Sequence, residues 1–306
     1  MANAKEIKNR IKSVRDTQKI TNAMYLIAST KMRKTKSDLD RTRPYFNALQ
    51  AEIKRIFRTV KNVQSKYFYP DDDMPALNGT FACLVITADK GLAGTYNQNV
   101  IRKAEQLLSE HKDTKLFVVG EYGRNYFKNH NIPVERSFLY TAQNPTMDRA
   151  REISSILLDL FDKGKAEKIF VVYTDIKNSM YEEAKTERIL PFHRKVFASN
   201  TMEKAVSSPF EFSPSVGEVL DNIIPSYVSG FIYSALVDSF CSEQNARMSA
   251  MNSANKNAEK ILSDLSVKYN RLRQGAITQE ITEISSGAKA QKRKSENRQS
   301  EEAQKL

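Results

Sequence analysis

The stretch Ala88-Asp-Lys-Gly-Leu-Ala-Gly94 stands where an α/β chain puts a ligand loop, after an apolar strand-like run and before a helical one. Its glycines, Gly91 and Gly94, match neither G-x-G-x-x-G nor G-x-x-x-x-G-K-[ST], the spacings that let consecutive backbone amides surround a phosphate. A tight strand-to-helix turn is the simpler reading. His111, His130 and His193 lie in unrelated contexts, none with a Cys or carboxylate at metal-ligand spacing. No G-x-S-x-G, no H-E-x-x-H and no paired carboxylates at a strand end are present, which weighs against catalysis. A second polar stretch, Arg271 to Glu283, sets Arg273, Gln274 and Thr278 beside Ile277, Ile281 and Ile284, with Glu280 and Glu283 in the same run. Donors and acceptors beside an apolar helical stripe suit contact with another protein better than bond chemistry.

These residues need a long helix to carry them. Phe231 to Gln274 holds 44 residues without Gly or Pro, enough for a helix of roughly 66 Å. Its second half carries Met251, Ala258, Leu262, Leu265, Tyr269, Leu272 and Ala276 at heptad spacing, a stripe too thin to stand without a partner helix. The N-terminal end supplies one. Stepping by four and three from Ile7 to Tyr67, fourteen of eighteen positions are apolar, the exceptions being Gln18, Thr21, Thr35 and Thr42. The two ends are therefore expected to pair as an antiparallel coiled coil. The C-terminal arm is the longer, so its tip, with Ile277, Ile281 and Ile284, should overhang and need an external socket.

Between the arms the period changes. Phe81–Ala88, Leu116–Gly120 and Ile169–Thr174 are continuous apolar runs of strand length, separated by helical stretches at Gln98–Glu110, Tyr122–Asn129 and Met147–Phe161. Such alternation indicates a mostly parallel sheet covered on both faces. Val134–Tyr140 is expected to add a strand, and Thr186–Phe192 an antiparallel edge strand ending at Leu190-Pro191. The fold class is thus α/β: a long antiparallel coiled coil of the terminal helices with a central Rossmann-like domain. The expected division is an N-terminal arm at 1–75, the α/β domain at 76–208, a C-terminal arm and tip at 209–288, and a polar tail at 289–306. Pro44 should kink or break the first arm near Arg43, and Gly287 is a plausible helix stop.

The net charge of +12 is uneven: residues 1–60 hold 15 Lys and Arg against 5 Asp and Glu. Such an arm can face acidic protein, anionic lipid or nucleic acid. Aromatics are not interleaved with the charges and no nucleic-acid motif is present, so nucleic acid is not the expected partner. No apolar run reads as long enough to span a bilayer, so no direct membrane insertion is expected. Met1–Arg10 is charged and already in heptad phase, so no leader is expected. Cys83 and Cys241 lack metal-ligand neighbours and read as small packing residues in a reducing compartment.

Four stretches, AKEIKNRIKSVRDTQKITNAMYLIASTKMRK at 4–34, TADKGLAGTYN at 87–97, SEQNARMSAMNSANKNA at 242–258 and RQGAITQEITEI at 273–284, resemble the gamma subunit of F-type ATP synthases, in the same order along the chain. The resemblance implies a non-catalytic central stalk turning inside a ring of alpha and beta subunits, with ATP handled at alpha–beta interfaces, no cofactor in this chain, and the α/β domain seated on a membrane c-ring beside an epsilon subunit. It implies contact with the alpha/beta ring by Met24, Arg273, Gln274 and Thr278, with Glu280, Glu283 and the Ile277, Ile281, Ile284 stripe in the same segment. Phe210, Glu211 and Phe212 resemble the foot that meets the c-ring and epsilon, although the residues themselves differ. It further implies a peripheral place on the cytoplasmic face of a bacterial inner membrane. The chain departs from the family pattern in continuing well beyond Gly287-Ala288, and it has no inserted dithiol segment. Two other classes are compatible with parts of the sequence. A Rossmann-like nucleotide-binding enzyme with helical oligomerisation arms would bind nucleotide as an isolated chain. A coiled coil that binds nucleic acid would show salt-sensitive affinity for duplex DNA.

Overall fold

The computed structural model describes residues 4–59, 65–69, 79–139, 142–178, 181–192, 212–213 and 215–303. Ten elements follow in order: α1 (Ala4–Thr59), β1 (Phe81–Ile86), α2 (Tyr96–Glu110), β2 (Lys115–Val119), α3 (Glu121–Asn129), β3 (Arg136–Phe138), α4 (Met147–Asp162), β4 (Lys168–Asn178), β5 (Tyr181–Leu190) and α5 (Val216–Ala303). They divide into two compact units, residues 1–24 with 251–306, and residues 25–250.

In the unit 25–250 the strands lie in the order β3-β2-β1-β4-β5. β1 pairs in parallel with β2 and β4, β2 with β3 in parallel, and β4 with β5 antiparallel. The apolar runs are continuous because both faces are covered. Phe81, Cys83 and Val85 point with Leu116, Val118 and Val172 toward Val100, Ala104 and Leu107 of α2 and Phe127 of α3. Ala82, Leu84 and Ile86 point the other way with Phe117, Val119, Ile169 and Val171, toward Ile153 and Leu157 of α4 and Ile224, Val228 and Leu236 of α5. The same cluster takes Leu39, Ile53 and Ile56 of α1, so lower α1 and α5 belong to the domain core. Gly230 of α5 faces Phe46 of α1, and a Cβ added there would clash with the ring.

The helical phase of α1 is as read: every fourth and third position from Ile7 to Ile56 is buried or half-buried, and its neighbours are mostly exposed. Three of the four polar exceptions have partners. Gln18 Nε2 donates to Glu259 Oε1 at 3.5 Å, Thr21 Oγ1 bonds Asn255 Oδ1, and the Thr42 hydroxyl meets the Tyr233 phenol. Polar pairs inside a coiled-coil seam fix register at a cost in stability.

Several expectations need correction. α1 runs through Pro44 without ending there. The proline lies on an exposed position, between Leu39 and Ile53, which the core holds on either side, so the lost backbone bond is left on the wet face. α5 likewise continues past Gly287 to Ala303. One glycine costs a helix about 1 kcal/mol but does not stop it when Ala288, Lys289 and Ala290 follow and no proline does. β5 begins at Tyr181 rather than Thr186, because its charged alternation suits an edge strand with one neighbour. The first strand ends at Ile86, before the turn. An eighteen-residue window of α5 reaches a mean hydropathy of 1.2, enough by composition to cross a bilayer, but 61% of it is buried inside the fold, as in a core helix.

Candidate functional site

The crevice at the carboxyl ends of β1 and β4 is where a doubly wound sheet binds its ligand, because the helices leave the sheet there on opposite sides. In this chain α5 fills it. Ser239 Oγ accepts from Thr174 N at 3.3 Å, beyond the centre of β4. Arg247 donates to the carbonyls of Gly91 at 3.1 Å and Lys90 at 3.5 Å, and its other nitrogen sits 2.6 Å from Glu243 Oε1. Two of the sequence stretches singled out above, 87–97 and 242–258, are thus two sides of one contact.

Backbone amides around the turn are already engaged within the chain. The turn's backbone is fixed by Ala88 N donating to Asn97 Oδ1 at 2.9 Å. Glu121 N, at the start of α3, donates to Asp89 Oδ1 at 2.9 Å. That amide and the positive end of the α3 dipole would suit a phosphate, and the chain's own carboxylate already occupies them. A cleft of about 280 Å³ remains beside it, lined by Asp89, Lys90, Glu121, Arg124, Leu139 and Gln143. Its Glu121 is bonded to Arg124, whose guanidinium holds that carboxyl below the usual range. Leu92, at φ 63°, projects from the turn 65% exposed.

The remaining candidate groups have structural roles. The His111 ring lies 4.2 Å from that of Phe81, and His130 stacks on Tyr126 while its Nδ1 is 2.8 Å from the Tyr126 carbonyl. His193 lies outside the described residues. Both cysteines are free and buried, and burial pushes each thiol up to about 12, too high for an ionised nucleophile.

In the unit formed by 1–24 and 251–306, the contacts Gln18–Glu259 and Thr21–Asn255 set an antiparallel register. Continued, it brings Ala4, the first described residue of α1, opposite Leu272 and Arg273. Burial follows: Met251 and Leu265 are buried, Ala258, Leu262, Tyr269 and Leu272 half-buried, and every residue from Arg273 to Lys292 exposed. Ala276, read as part of the seam, is among the exposed. Ile277, Ile281 and Ile284 are 47%, 61% and 68% exposed. Thr278 Oγ1 donates back to Gln274 O at 2.9 Å, and Gln279 Nε2 to Glu283 Oε1 at 2.9 Å, bonds local to the helix itself. The structure therefore gathers Arg273, Gln274, Ile277, Thr278, Glu280, Ile281, Glu283 and Ile284 on one bare helical segment. Met24 is not with them. It is half-buried and opposite Asn252 and Ser253, roughly 30 Å of helix away from Arg273. Phe212 is half-buried against the core of the other unit, and Phe210 and Glu211 lie outside the described residues. Sequence reasoning missed Glu243 and Arg247 as the plug of the crevice, because their partners include backbone carbonyls over 150 residues away.

A family model described as ATP synthase matches residues 3–291. The ATP synthase gamma chain of Caldanaerobacter subterraneus subsp. tengcongensis is 43% identical over 292 residues, covering 93% of this chain and 98% of the relative. That of Acetivibrio thermocellus is 39% identical, covering 95% and 100%. The ATP synthase gamma chain, sodium ion specific, of Acetobacterium woodii is 35% identical, covering 94% and 98%. Among solved structures, a chain of the Euglena gracilis mitochondrial ATP synthase (OSCP, F1 and c-ring) shares the fold with a TM-score of 0.65 at 14% identity, covering 94% of each chain. A chain of the Tetrahymena thermophila mitochondrial ATP synthase central stalk and c-ring gives 0.52 at 22%, covering 77% of this chain and 99% of that one. A crevice closed by the chain's own helix, a helix tip with no partner among the described residues, and relatives matched over nearly their full lengths agree: this chain belongs to the ATP synthase gamma-chain family, a non-catalytic subunit of ATP synthase.

Proposed function

We propose that this chain is the rotor shaft coupling rotation of a membrane c-ring, driven by protons or sodium ions, to ATP synthesis and hydrolysis at the alpha–beta sites. The observation that carries the reading is the change along α5: the seam with α1 ends at Leu272 and the helix continues bare, with three isoleucines on one stripe. A bare apolar stripe flanked by Arg273, Gln274, Thr278, Glu280 and Glu283 fits a surrounding protein collar, here the alpha/beta ring. Met24 would meet the same ring lower on the shaft. The basic character of α1 suits acidic surfaces on that ring. Phe210, Glu211 and Phe212 are assigned to the foot that meets epsilon and the c-ring. The functional division is arm 1–75, α/β domain 76–208, arm and tip 209–288, and tail 289–306. The subunit is then peripheral to the membrane, on the cytoplasmic face of a bacterial inner membrane.

The test is affinity purification of the tagged chain from membranes, with identification of what comes with it. Recovery of alpha, beta, epsilon and c subunits is the expected outcome. Recovery without them, together with tight nucleotide binding by the isolated chain, would favour the enzyme reading.

A further inference from the structure

Besides its apolar core, α5 is tied to the α/β elements by a ladder of polar contacts. Ser229 Oγ lies 2.6 Å from Ser154 Oγ of α4, Ser239 Oγ accepts from Thr174 N of β4, and Asn245 Nδ2 donates to Glu182 of β5. Arg247 is the outermost rung. One of its nitrogens donates to the carbonyls of Gly91 at 3.1 Å and Lys90 at 3.5 Å, and the other lies 2.6 Å from Glu243 Oε1, one helical turn back. The unit ends at Ala250, and the next bonded residues along α5, Asn255 and Glu259, meet α1. The tie is charge-assisted and largely covered, with the Glu243 side chain 8% exposed and that of Arg247 12%. The root of the turn is fixed by Ala88 and Asp89, but among the described residues Arg247 alone bonds its tip at Lys90 and Gly91. The Gly91 carbonyl belongs to the peptide that leads into Leu92, whose φ of 63° is a left-handed conformation that leucine rarely takes. Such a backbone persists where its surroundings hold it, and here the bond that holds the peptide comes from α5.

We propose that Arg247, oriented by Glu243, is the positioning residue through which the α/β domain holds the shaft helix where that helix leaves it. The proposal rests on the rotor reading, in which a twist applied to the domain must enter α5. Apolar packing resists separation but is non-directional, so it resists rotation of a helix about its own axis weakly. A guanidinium that bonds two carbonyls on one side and a carboxylate on the other is directional at every contact, and turning the helix breaks the set. Without the tie the fold remains, because Ile224, Val228, Ile232 and Leu236 stay in the core. The helix can then turn against the domain under load, and ATP is hydrolysed without a matching movement of ions. A lysine at this position keeps the charge against Glu243 but lacks the fork that reaches the two carbonyls as well.

The test has two arms, each on the unaltered chain, Arg247→Lys, and Glu243→Gln combined with Arg247→Met. The double change removes both charges together, so neither is left buried alone. In the isolated chain, brief trypsin treatment is followed by the peptide that begins at Gly91, which forms when the turn opens at Lys90. Both variants should release it about tenfold faster, in line with the loss of a hydrogen bond to a charged group. In assembled complexes of equal subunit content, both should move fewer ions per ATP hydrolysed than the unaltered complex, a ratio that lowered stability of the chain alone does not change. Equal release of the Gly91 peptide would overturn the tie itself, whatever the chain assembles with. Faster release with an unchanged ratio would overturn its part in coupling. Failure of the unaltered chain to enter any ion-pumping complex would overturn the rotor reading and the coupling role with it, and would leave the trypsin result standing. Should the double variant fail to fold, Arg247→Lys carries both arms.

Discussion

The units 25–250 and 1–24 with 251–306 share two helices but hold them by different means. In the first, α1 and α5 are core elements: Leu39, Ile53, Ile56, Ile224, Val228, Ile232 and Leu236 pack in one cluster with the sheet. In the second, among the described residues, only Ile7, Met251 and Leu265 of the seam are buried, polar pairs interrupt it, and nothing covers α5 after Leu272. One helix therefore passes from core, to half-covered seam, to bare tip along its length. The lesson is that stability and contact surface are separated along α5. Where its apolar residues hold the fold they are hidden, and where they are available to a neighbour the fold does not depend on them.

The largest effect should come from the sheet. Phe117→Ala empties a fully buried site between β2 and the helices, and should cost about 3–5 kcal/mol in urea unfolding of the chain. A loss under about 1 kcal/mol would mean that the core is looser than its burial implies. Leu265→Ala in the seam should cost about 2 kcal/mol, at the low end for such a change because the gap opens toward water, and Leu262→Ala less, being half-buried. Hydrogen exchange should show that loss in 4–24 and 251–272, with the β1 and β2 amides unchanged. Equal loss in the strands would make the two units one cooperative body. Glycines sharpen the contrast further. Alanine normally stabilises a helix position held by glycine, yet Gly230→Ala should destabilise by about 1–2 kcal/mol, because its Cβ meets Phe46. Gly275→Ala meets nothing within 4 Å, so it should raise local helix stability by about 0.5–1 kcal/mol, seen as slower amide exchange around residue 275.

Much of this division is legible in the sequence. The heptad phase of α1, the three apolar strands and the unpartnered isoleucine stripe follow from periodicity, which burial against a partner dictates directly. The polar exceptions Gln18 and Thr21 looked like flaws in the stripe, and they pair across the seam. What periodicity misses depends on tertiary placement. Arg247 is one basic residue among many until its partners, the Lys90 and Gly91 carbonyls, are seen. Gly287 misled for a related reason: local propensity sets a cost, and the good helix formers after Gly287 outweighed it, as packing on either side of Pro44 outweighed a break there.

The most direct measurement concerns Arg273, the first residue of α5 beyond the seam. Arg273→Ala should be compared with the unaltered chain twice, in thermal unfolding of the isolated chain and in ATP-driven ion pumping of the assembled complex. The expected result is an unchanged melting temperature with impaired pumping, because the guanidinium is exposed in the chain and is assigned to a neighbour in the complex. Equal pumping by the two complexes would contradict the assignment of the tip to the alpha/beta ring. A lowered melting temperature of the isolated chain would contradict the separation of stability from contact surface along α5.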